Sequence, residues 1–288
     1  MISILLPVYN VEKYIKQSIN SILRNSYKNL ELLIVNDGST DNTEEIIKCF
    51  SDERIKYFKK SNSGLIETLN YGIKKCNNSI IMRMDGDDLI HSKKIENQLH
   101  FFKKSGSILV GTLGYLIDYN GVKTGKINLP LNHKGIVNSM LKVSSGFIHP
   151  SVMYYKDALL KVGGYNTNFK HAEDFDLFLK LSKIGKISNL NERLIYLRKH
   201  ENNVSLLNAK DQISNTIISR DIYKSDFDNV SDDLIYIQIK QKVDKNYIKN
   251  LYIRNHSIIV KLENSSNLSF NLKLFFLKVF RKILKIII

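Results

Sequence analysis

Three aspartates near the middle of the chain have the spacing of a metal site. Asp85, Asp87 and Asp88 lie within four residues, and Gly86 gives the backbone room to turn between them. Carboxylates this close repel one another unless a cation neutralises them, and oxygen ligands suit Mg²⁺ or Mn²⁺, which in turn bind phosphates. The spacing therefore predicts a divalent cation that holds a phosphorylated substrate, although an acidic turn has the same pattern.

Two further polar residues belong to this hypothesis, and each has an alternative. Arg83 could contact a diphosphate or pair with a neighbouring carboxylate. Asp37 could accept a hydrogen bond from a ligand N–H, such as that of a uracil ring, or it could cap the turn before a helix at Thr43. Asp41, in the run Asp-Asn-Thr that leads into that helix, is interpreted as an ordinary N-terminal cap.

A second acidic group opens a helix later in the chain. Glu173, Asp174 and Asp176 fall in its first turn, where the helix dipole alone favours carboxylates. The alternative is a general base that deprotonates an acceptor hydroxyl as it attacks an anomeric carbon. His149 is interpreted as structural, whereas His200 follows a strand and opens a polar loop in which it could ligate a metal.

The elements that must position these residues alternate between strands and helices. Short apolar runs predict buried parallel strands, and apolar residues at helical spacing predict the helices between them. The predicted strands cover 2–8, 30–35, 55–58 and 80–84, with Pro7 ending the first, and the predicted helices cover 11–23, 43–50 and 65–75. This order predicts a doubly wound α/β sheet, whose ligands bind at the carboxyl ends of strands, here 7–10, 36–39 and 85–88.

The rest of the chain is less regular. Residues 89–205 predict strands at 108–117 and 193–197, a hairpin near 118–125 and a helix at 172–181. After residue 205 glycine disappears and the chain becomes helical and charged, so we expect a boundary there.

Charge and cysteine content bound the possible partners and compartment. A net charge of +15 over 288 residues favours anionic partners. Residues 271–288 carry five basic residues and no acid, which predicts an amphipathic helix on an anionic membrane surface; the alternative is a helix docked on its own domain. Cys49 and Cys76 form no CxxC pair, so neither a zinc site nor a disulfide framework is expected. The short apolar N-terminal run predicts a strand rather than a leader, so a cytoplasmic catalytic body is expected.

Eight blocks of the sequence resemble, in order, blocks of the family 2 glycosyltransferases of bacterial polysaccharide synthesis. The resemblance covers residue 2 to about residue 205. The blocks are SILLPVYNVEKYIKQSINSIL, LELLIVNDGSTDNT, NSGLIETLNYGI, IIMRMDGDDLIH, HPSVMYY, VGGYNTNF, AEDFDLFLKL and YLRKHENNVS. The LNYGI and RMDGDD forms look most similar to β-1,3-galactosyltransferases of O-antigen, capsule and exopolysaccharide synthesis.

The resemblance implies a fold and a set of site residues. The fold is GT-A over residues 1–205, with a nucleotide-sugar-binding half to residue 90 and an acceptor-binding half from 91, followed by a helical, amphipathic extension over 206–288. Asp174 matches the catalytic base of inverting members. Asp87 matches the main ligand of Mn²⁺ or Mg²⁺, Asp85 is shared between metal and ribose, and His200 completes the metal site. The implied substrate-binding residues are Pro7, Tyr9, Asn10, Asp37, Gly64, Arg83, Asp85, Gly86 and Glu173.

The implied activity is inverting transfer of a hexose or N-acetylhexosamine from a UDP-sugar, with galactose expected first and Glc, GlcNAc or GalNAc as alternatives. The implied acceptor is a glycan on undecaprenyl diphosphate, and the expected location is the inner face of the cell membrane, with no nucleic acid as partner. A sugar nucleotidyltransferase is a rival, but it should have a Gly-rich basic loop after the first strand, and residues 7–10 are not one. Two departures from the family pattern are Gly86, where Ala or Ser is usual, and Tyr154-Tyr155-Lys156, where a Phe-Arg pair is common.

Overall fold

The structure, a computed structural model, describes residues 1–199 and 209–224 of the chain. The strands in chain order are β1 (Ile2–Val8), β2 (Leu30–Asn36), β3 (Ile55–Lys59), β4 (Ile80–Arg83), β5 (Leu89–Ile90), β6 (Leu109–Ile117), β7 (Lys123–Ile127), β8 (Met153–Tyr155) and β9 (Ile187–Arg198). The helices are α1 (Ile15–Leu23), α2 (Thr43–Lys48), α3 (Leu65–Lys75), α4 (Lys94–Ser105), α5 (His133–Leu141), α6 (Lys156–Lys161), α7 (Glu173–Ile184) and α8 (Ala209–Lys224). Short 3₁₀ turns cover His149–Ser151 and Thr167–Phe169.

Within the described residues the strands form one mixed sheet. Its order is β3-β2-β1-β4-β8-β6-β9-β5, and β7 pairs with β6. The strands β1 to β4 are parallel, as the alternation in the first half of the sequence predicts. The strand β8 runs antiparallel between β4 and β6, and β9 returns parallel to β6. The doubly wound α/β prediction is therefore confirmed, with an antiparallel strand inserted at the centre.

The central strands carry apolar side chains on both faces. In β1, Leu5 packs in one apolar cluster together with α3, while Ile4 and Leu6 pack in a second cluster together with α1 and α4. Burying a side chain of this size stabilises the fold by about 1.5–3 kcal/mol. This two-sided packing fixes the strands, so their carboxyl ends form a rigid edge.

Pro7 does not end the first strand, which corrects the sequence-based expectation. It lies inside β1, opposite Val35 of β2, and the strand continues to Val8. The Leu5 carbonyl accepts from Met84 on the β4 side, so Pro7, two residues on, also faces that side. Pairing with β4 stops at Leu5 and Arg83, so the missing N–H of proline removes no ladder bond there.

Two predicted boundaries also move. The helix predicted at 11–23 begins at Ile15, because Val11 to Tyr14 form a turn in which the Val11 N–H donates to Thr43 Oγ1 at 2.9 Å. The strand predicted at 193–197 begins at Ile187, because its polar first half pairs with β6. Both shifts come from contacts with distant residues, which local apolar spacing does not encode.

The predicted membrane-binding helix lies in a part of the chain that the structure does not describe. Residues 271–288, with their amphipathic pattern, lie outside the described residues, as does His200. Among the helices that are described, none combines the length and the hydropathy that crossing a membrane requires.

Candidate functional site

The carboxyl end of β4 carries a compact group of three carboxylates. One oxygen each from Asp85, Asp87 and Asp88 lies within 4.8 Å of the others. Asp85 and Asp87 are partly exposed, whereas Asp88 is buried. Within the described residues, Asp88 Oδ2 is buried without a hydrogen-bond partner. Three clustered oxygen donors, one of them unsatisfied, fit the hard divalent cation that the sequence predicts.

Arg83 pairs with Asp85 through its two terminal guanidinium nitrogens. Its Nη1 lies 2.7 Å from Asp85 Oδ2, and its Nη2 lies 2.5 Å from Oδ1. The guanidinium is buried, so the geometry favours pairing with a carboxylate over direct contact with a diphosphate. Burial raises the pKa of Asp85 to about 6, Arg83 opposes that rise, and the charge of Asp87 adds to it. A bound cation would relieve this repulsion.

Arg198 is the residue of this site that the sequence analysis missed. Its backbone N–H donates to Asp88 Oδ1 at 2.8 Å, and its Nε donates to the Asp87 carbonyl at 2.8 Å. Its Nη1 donates to the carbonyls of Asp118 and Tyr119 at 3.1 and 3.0 Å, and its Nη2 donates to Gln17 Oε1 at 3.0 Å. The guanidinium therefore fixes the main chain of the acidic loop. The signal was the run Arg198-Lys199-His200, of which the sequence analysis interpreted the histidine alone.

The end of β2 is organised around Asp37. Its Oδ1 accepts from the Ser63 N–H at 3.0 Å and from Lys60 Nζ at 2.5 Å, and its Oδ2 accepts from the Gly64 N–H at 2.9 Å. The carboxylate thus shapes the loop that leads into α3. Gly64 has φ +90 and ψ 165 there, a conformation open almost only to glycine. The predicted contact of Asp37 with the uracil ring of a nucleotide stays a prediction.

The end of β1 is linked to the same loop system. Asn10 has φ +51, and its Oδ1 accepts from the Thr40 N–H at 2.8 Å. Tyr9 is 48% exposed, so its ring is available to a ligand, whereas Pro7 is buried. Asp41 Oδ1 accepts from the Thr43 N–H at 3.0 Å at the start of α2, although the N-cap position itself is Asn42 rather than the predicted Asp41. The nucleoside contacts predicted for the β1 residues stay predictions.

Gly86 is a packing residue in this structure. It is buried, and a Cβ at this position would lie 3.1 Å from side-chain carbons of both Val8 and Val11. The absent side chain lets the acidic loop lie close against β1. This explains why glycine suits the position, and the predicted substrate contact would have to come from its backbone.

The second acidic pair lies at the start of α7. Glu173 is 6% exposed, and the Asp174 side chain is 29% exposed. Asp174 Oδ1 accepts from the Phe175 N–H at 2.8 Å. Burial, and then the charge of Asp174, raises the pKa of Glu173 to about 7; burial also raises the pKa of Asp174. The adjacent acids therefore differ: one is enclosed, and the other is open to a reactant.

His149 lies against this pair, although the sequence analysis treated it as structural. Its Nδ1 is 3.8 Å from Asp174 Oδ2, and its Nε2 is 2.8 Å from Tyr165 Oη. Burial, and then the charge of Arg83, holds the pKa of His149 well below its usual value, so the imidazole is neutral. No local pattern signals this contact, because the two residues lie on separate elements.

The two acidic groups act on each other. The charge of Asp174 contributes to the raised pKa of Asp85, and Arg83 acts on both Glu173 and His149. A cleft of about 240 Å³ opens beside Asp174, between the segment 143–147, the start of α7 and the helix α8. Its wall includes Phe147, Asp174, Phe175, Phe178, Gln212 and Thr216. Aromatic faces with a few polar groups are typical of a pocket for an uncharged polar ligand.

A family model and known proteins of similar sequence agree on one family. The model for glycosyl transferase family 2 matches residues 3–163. An uncharacterized glycosyltransferase of Rickettsia conorii is 36% identical over 210 residues, which cover 69% of this chain and 34% of the relative. The O-antigen biosynthesis glycosyltransferase WbnJ of Escherichia coli is 34% identical over 206 residues, covering 69% of this chain and 80% of WbnJ. The chain therefore spans about a third of the Rickettsia protein and most of WbnJ.

A solved structure shares the fold at low sequence identity. The crystal structure of S. aureus TarS 1–349 in complex with UDP-GlcNAc matches with a TM-score of 0.64 at 20% identity, covering 81% of this chain and 69% of that chain. At this identity the similarity is one of fold.

Proposed function

Because the chain belongs to glycosyl transferase family 2, we propose that it transfers one sugar from a nucleotide-sugar donor to a glycan acceptor, with inversion at the anomeric carbon. Its sheet has the GT-A fold that the sequence resemblance implied. The observation that carries the proposal is the position of Asp174, which lies partly exposed beside the cleft and interacts electrostatically with the Asp85 group. A base on one side and a phosphate-binding group on the other are what a single displacement requires.

In this proposal Asp174 accepts the proton of the attacking hydroxyl. Its neighbour Glu173 is enclosed, and with a pKa of about 7 it carries a proton part of the time at neutral pH. The enclosed acid therefore does not compete with Asp174 for the hydroxyl. The raised pKa of Asp174 makes its carboxylate a stronger proton acceptor than a solvated aspartate.

On the donor side, Asp87 and Asp85 would hold a Mn²⁺ or Mg²⁺ ion, with the unsatisfied oxygen of Asp88 close by. Such an ion supplies positive charge for the leaving diphosphate. The part of Arg83 is to keep Asp85 in place through two hydrogen bonds. Arg198 fixes the backbone on which Asp87 stands.

The donor is proposed to be a UDP-sugar. Supporting this are the resemblance to UDP-dependent members and the fold shared with TarS, whose structure contains UDP-GlcNAc. Asp37 stands at the end of β2, where its carboxylate has capacity for one more donor on Oδ2 beside the Gly64 N–H. Galactose is the proposed sugar, on the LNYGI and RMDGDD blocks; glucose, GlcNAc and GalNAc are the alternatives.

The acceptor is proposed to be a glycan on a polyprenyl diphosphate at the inner membrane surface, as part of surface polysaccharide synthesis. The similarity to WbnJ and the net charge of +15 support this assignment. The cleft beside Asp174 is the proposed entry for the acceptor hydroxyl. The proposal keeps the division at residue 90 between donor and acceptor halves.

A donor screen tests this function directly. The full chain is incubated with UDP-, GDP- and dTDP-sugars, and the released nucleotide is measured with and without EDTA. We expect release of UDP from one UDP-sugar, loss of release in EDTA, and recovery with Mn²⁺ or Mg²⁺. The Asp87→Asn variant should stay inactive after metal is restored. Full activity in EDTA would exclude the metal assignment, and release of pyrophosphate from a nucleoside triphosphate would favour a nucleotidyltransferase.

A further inference from the structure

We propose that His149 is a positioning residue for the base: its Nδ1–H holds the Asp174 carboxylate in place, and Tyr165 holds the imidazole in that tautomer. This inference rests on the proposed function, because it assigns the base to Asp174. It starts from the geometry, in which Nδ1 faces Asp174 Oδ2 at 3.8 Å and Nε2 contacts Tyr165 Oη at 2.8 Å.

The tautomer follows from what each ring nitrogen faces. A carboxylate oxygen can only accept, so a lone pair on Nδ1 would be repelled by Asp174, whereas an N–H is attracted. The Tyr165 hydroxyl can donate to Nε2 and thereby leave the proton on Nδ1. Tyr154 Oη lies 3.4 Å from Tyr165 Oη and can donate to it in turn. Every donor in this chain of hydroxyls and imidazole then points towards the carboxylate.

The imidazole is held from its backbone as well as its ring. His149 begins a 3₁₀ turn that ends at Ser151, whose carbonyl accepts from Lys94 Nζ at 3.0 Å and from Gln98 Nε2 at 2.8 Å. The ring packs edge to face on Phe178, with centroids 5.9 Å apart. The turn that carries His149 is therefore anchored to α4, and Phe178 packs against the ring.

Tyr165 is also held by backbone hydrogen bonds. Its backbone N–H donates to Asn70 Oδ1 at 3.0 Å, and its carbonyl accepts from Asn70 Nδ2 at 2.8 Å. Its side chain is 2% exposed, so the hydroxyl is directed by the protein rather than by water. These two hydrogen bonds join Tyr165, whose hydroxyl sets the tautomer of His149, to α3 in the half of the chain that is proposed to bind the donor.

The distance of 3.8 Å is longer than a hydrogen bond. Catalytic contacts of this kind often shorten only when the substrate is bound. A carboxylate held by one N–H on each oxygen, Phe175 N–H on Oδ1 and His149 Nδ1–H on Oδ2, would have a single orientation towards the acceptor.

Two variants separate a specific Nδ1 contact from simple packing. His149→Asn places an amide N–H near Nδ1, whereas His149→Gln places it near Nε2. We expect His149→Gln to lose about 100-fold in kcat, as a misplaced catalytic group does, and His149→Asn to keep most of the rate. KM for the donor should change little in both, and both should lower Tm by similar amounts. Equal losses in kcat, or a loss confined to donor KM, would overturn the proposal.

A second measurement is independent of activity. Nitrogen-15 NMR of the full chain reports the tautomer of each histidine, and His149→Asn identifies the signals of His149. We expect a neutral ring with the proton on Nδ1 at neutral pH, and a shift of population towards the Nε2–H form in Tyr165→Phe. An Nε2–H tautomer or a charged ring in the wild type would overturn the proposal even if the enzyme transfers sugar. If the Nδ1–H form is found and no donor reacts, the proposed function fails while the contact stands.

Discussion

Asp174 and Glu173 are adjacent carboxyls that lie in different surroundings. Both carboxyls lie in the first turn of α7, where the helix dipole stabilises negative charge. Both residues share this position in the helix, but burial opposes the negative charge strongly at Glu173, which is 6% exposed. Interaction with the helix dipole alone therefore does not explain why Glu173 is buried so deeply.

At this scale we predict that Asp174→Asn abolishes transfer and leaves UDP binding nearly intact. The amide cannot take a proton from the acceptor, so the rate should fall by at least about 100-fold. The contacts of the Asp85 group, which would hold the metal and the diphosphate, stay in place. Loss of the Asp174 charge lowers the pKa of Asp85, which favours its charged, metal-binding form. Transfer rate and calorimetric binding of UDP measure the two effects. Asp157→Asn, an exposed acid in α6, serves as the control; retained transfer in Asp174→Asn would remove it from the base role.

At the scale of elements, the loops at strand ends depend on particular backbone conformations. Gly64 and Gly106 both have positive φ, at +90 and +66, and a Cβ at either position would meet no atom within 4 Å. They differ in their contacts. Gly64 donates to Asp37 and starts α3, whereas Gly106 ends α4.

We predict that Gly64→Ala and Gly106→Ala both destabilise the fold, by about 1–3 kcal/mol, because alanine is strained at positive φ. Only Gly64→Ala should also weaken UDP binding, since the strained loop pulls its N–H away from Asp37. Urea unfolding and nucleotide titration check the two parts. Equal nucleotide affinity in both variants would show that the Asp37 loop does not contact the nucleotide.

The elements also show what the sequence could predict. The strands β1, β2 and β4 follow from buried apolar runs, and α3 was predicted with the bounds that the structure has, 65–75. No helix was predicted at α4, because its buried face includes Lys94 and Gln98 and so looks polar. The three-residue strand β8 gives no periodic signal, although it joins β4 to β6 at the centre of the sheet.

The site was predictable where its residues are neighbours in sequence. Asp85, Asp87 and Asp88 follow one strand, so their proximity needs no tertiary information. The contact between His149 and Asp174, and that between Arg198 and Asp87, join separate elements and appear only in the folded chain. Pairings of this kind are set by the packing of the whole sheet, for which single-sequence spacing carries no signal.

At the scale of the whole molecule, a buried lysine makes stability depend on pH. Lys94 is fully buried, with Nζ against Gln98 Oε1 at 2.5 Å and the Ser151 carbonyl at 3.0 Å. Burial lowers the pKa of Lys94 from the usual 10.5 to about 7. Between these values the unfolded chain binds a proton that the folded chain does not, so the free energy of unfolding rises with pH.

We predict that the Lys94 contribution to this rise, measured as the difference between wild type and Lys94→Met, approaches about 1.4 kcal/mol per pH unit between pH 7.5 and 9.5. Lys93→Met changes an exposed neighbour on the same helix end and should keep it. Urea unfolding of the full chain across this pH range provides the measurement. If the wild type and Lys94→Met have the same pH dependence, the lysine is charged in the folded state.

Arg198 has a consequence for the timing of assembly during synthesis. The Asp88 carboxylate accepts from the backbone N–H of Arg198, 110 positions further on, and the Asp87 carbonyl accepts from the Arg198 side chain. Neither hydrogen bond can form before Arg198 has been synthesised. At about 5–20 residues per second, a ribosome needs roughly 5–20 s to supply that partner after Asp88 is made. A nascent chain that ends before Arg198 can already pair β1 with β2 and β4, but its acidic loop lacks the contacts that Arg198 makes with Asp87 and Asp88. The proposed cation site is therefore completed late, when the strand that ends in Arg198 has joined the sheet.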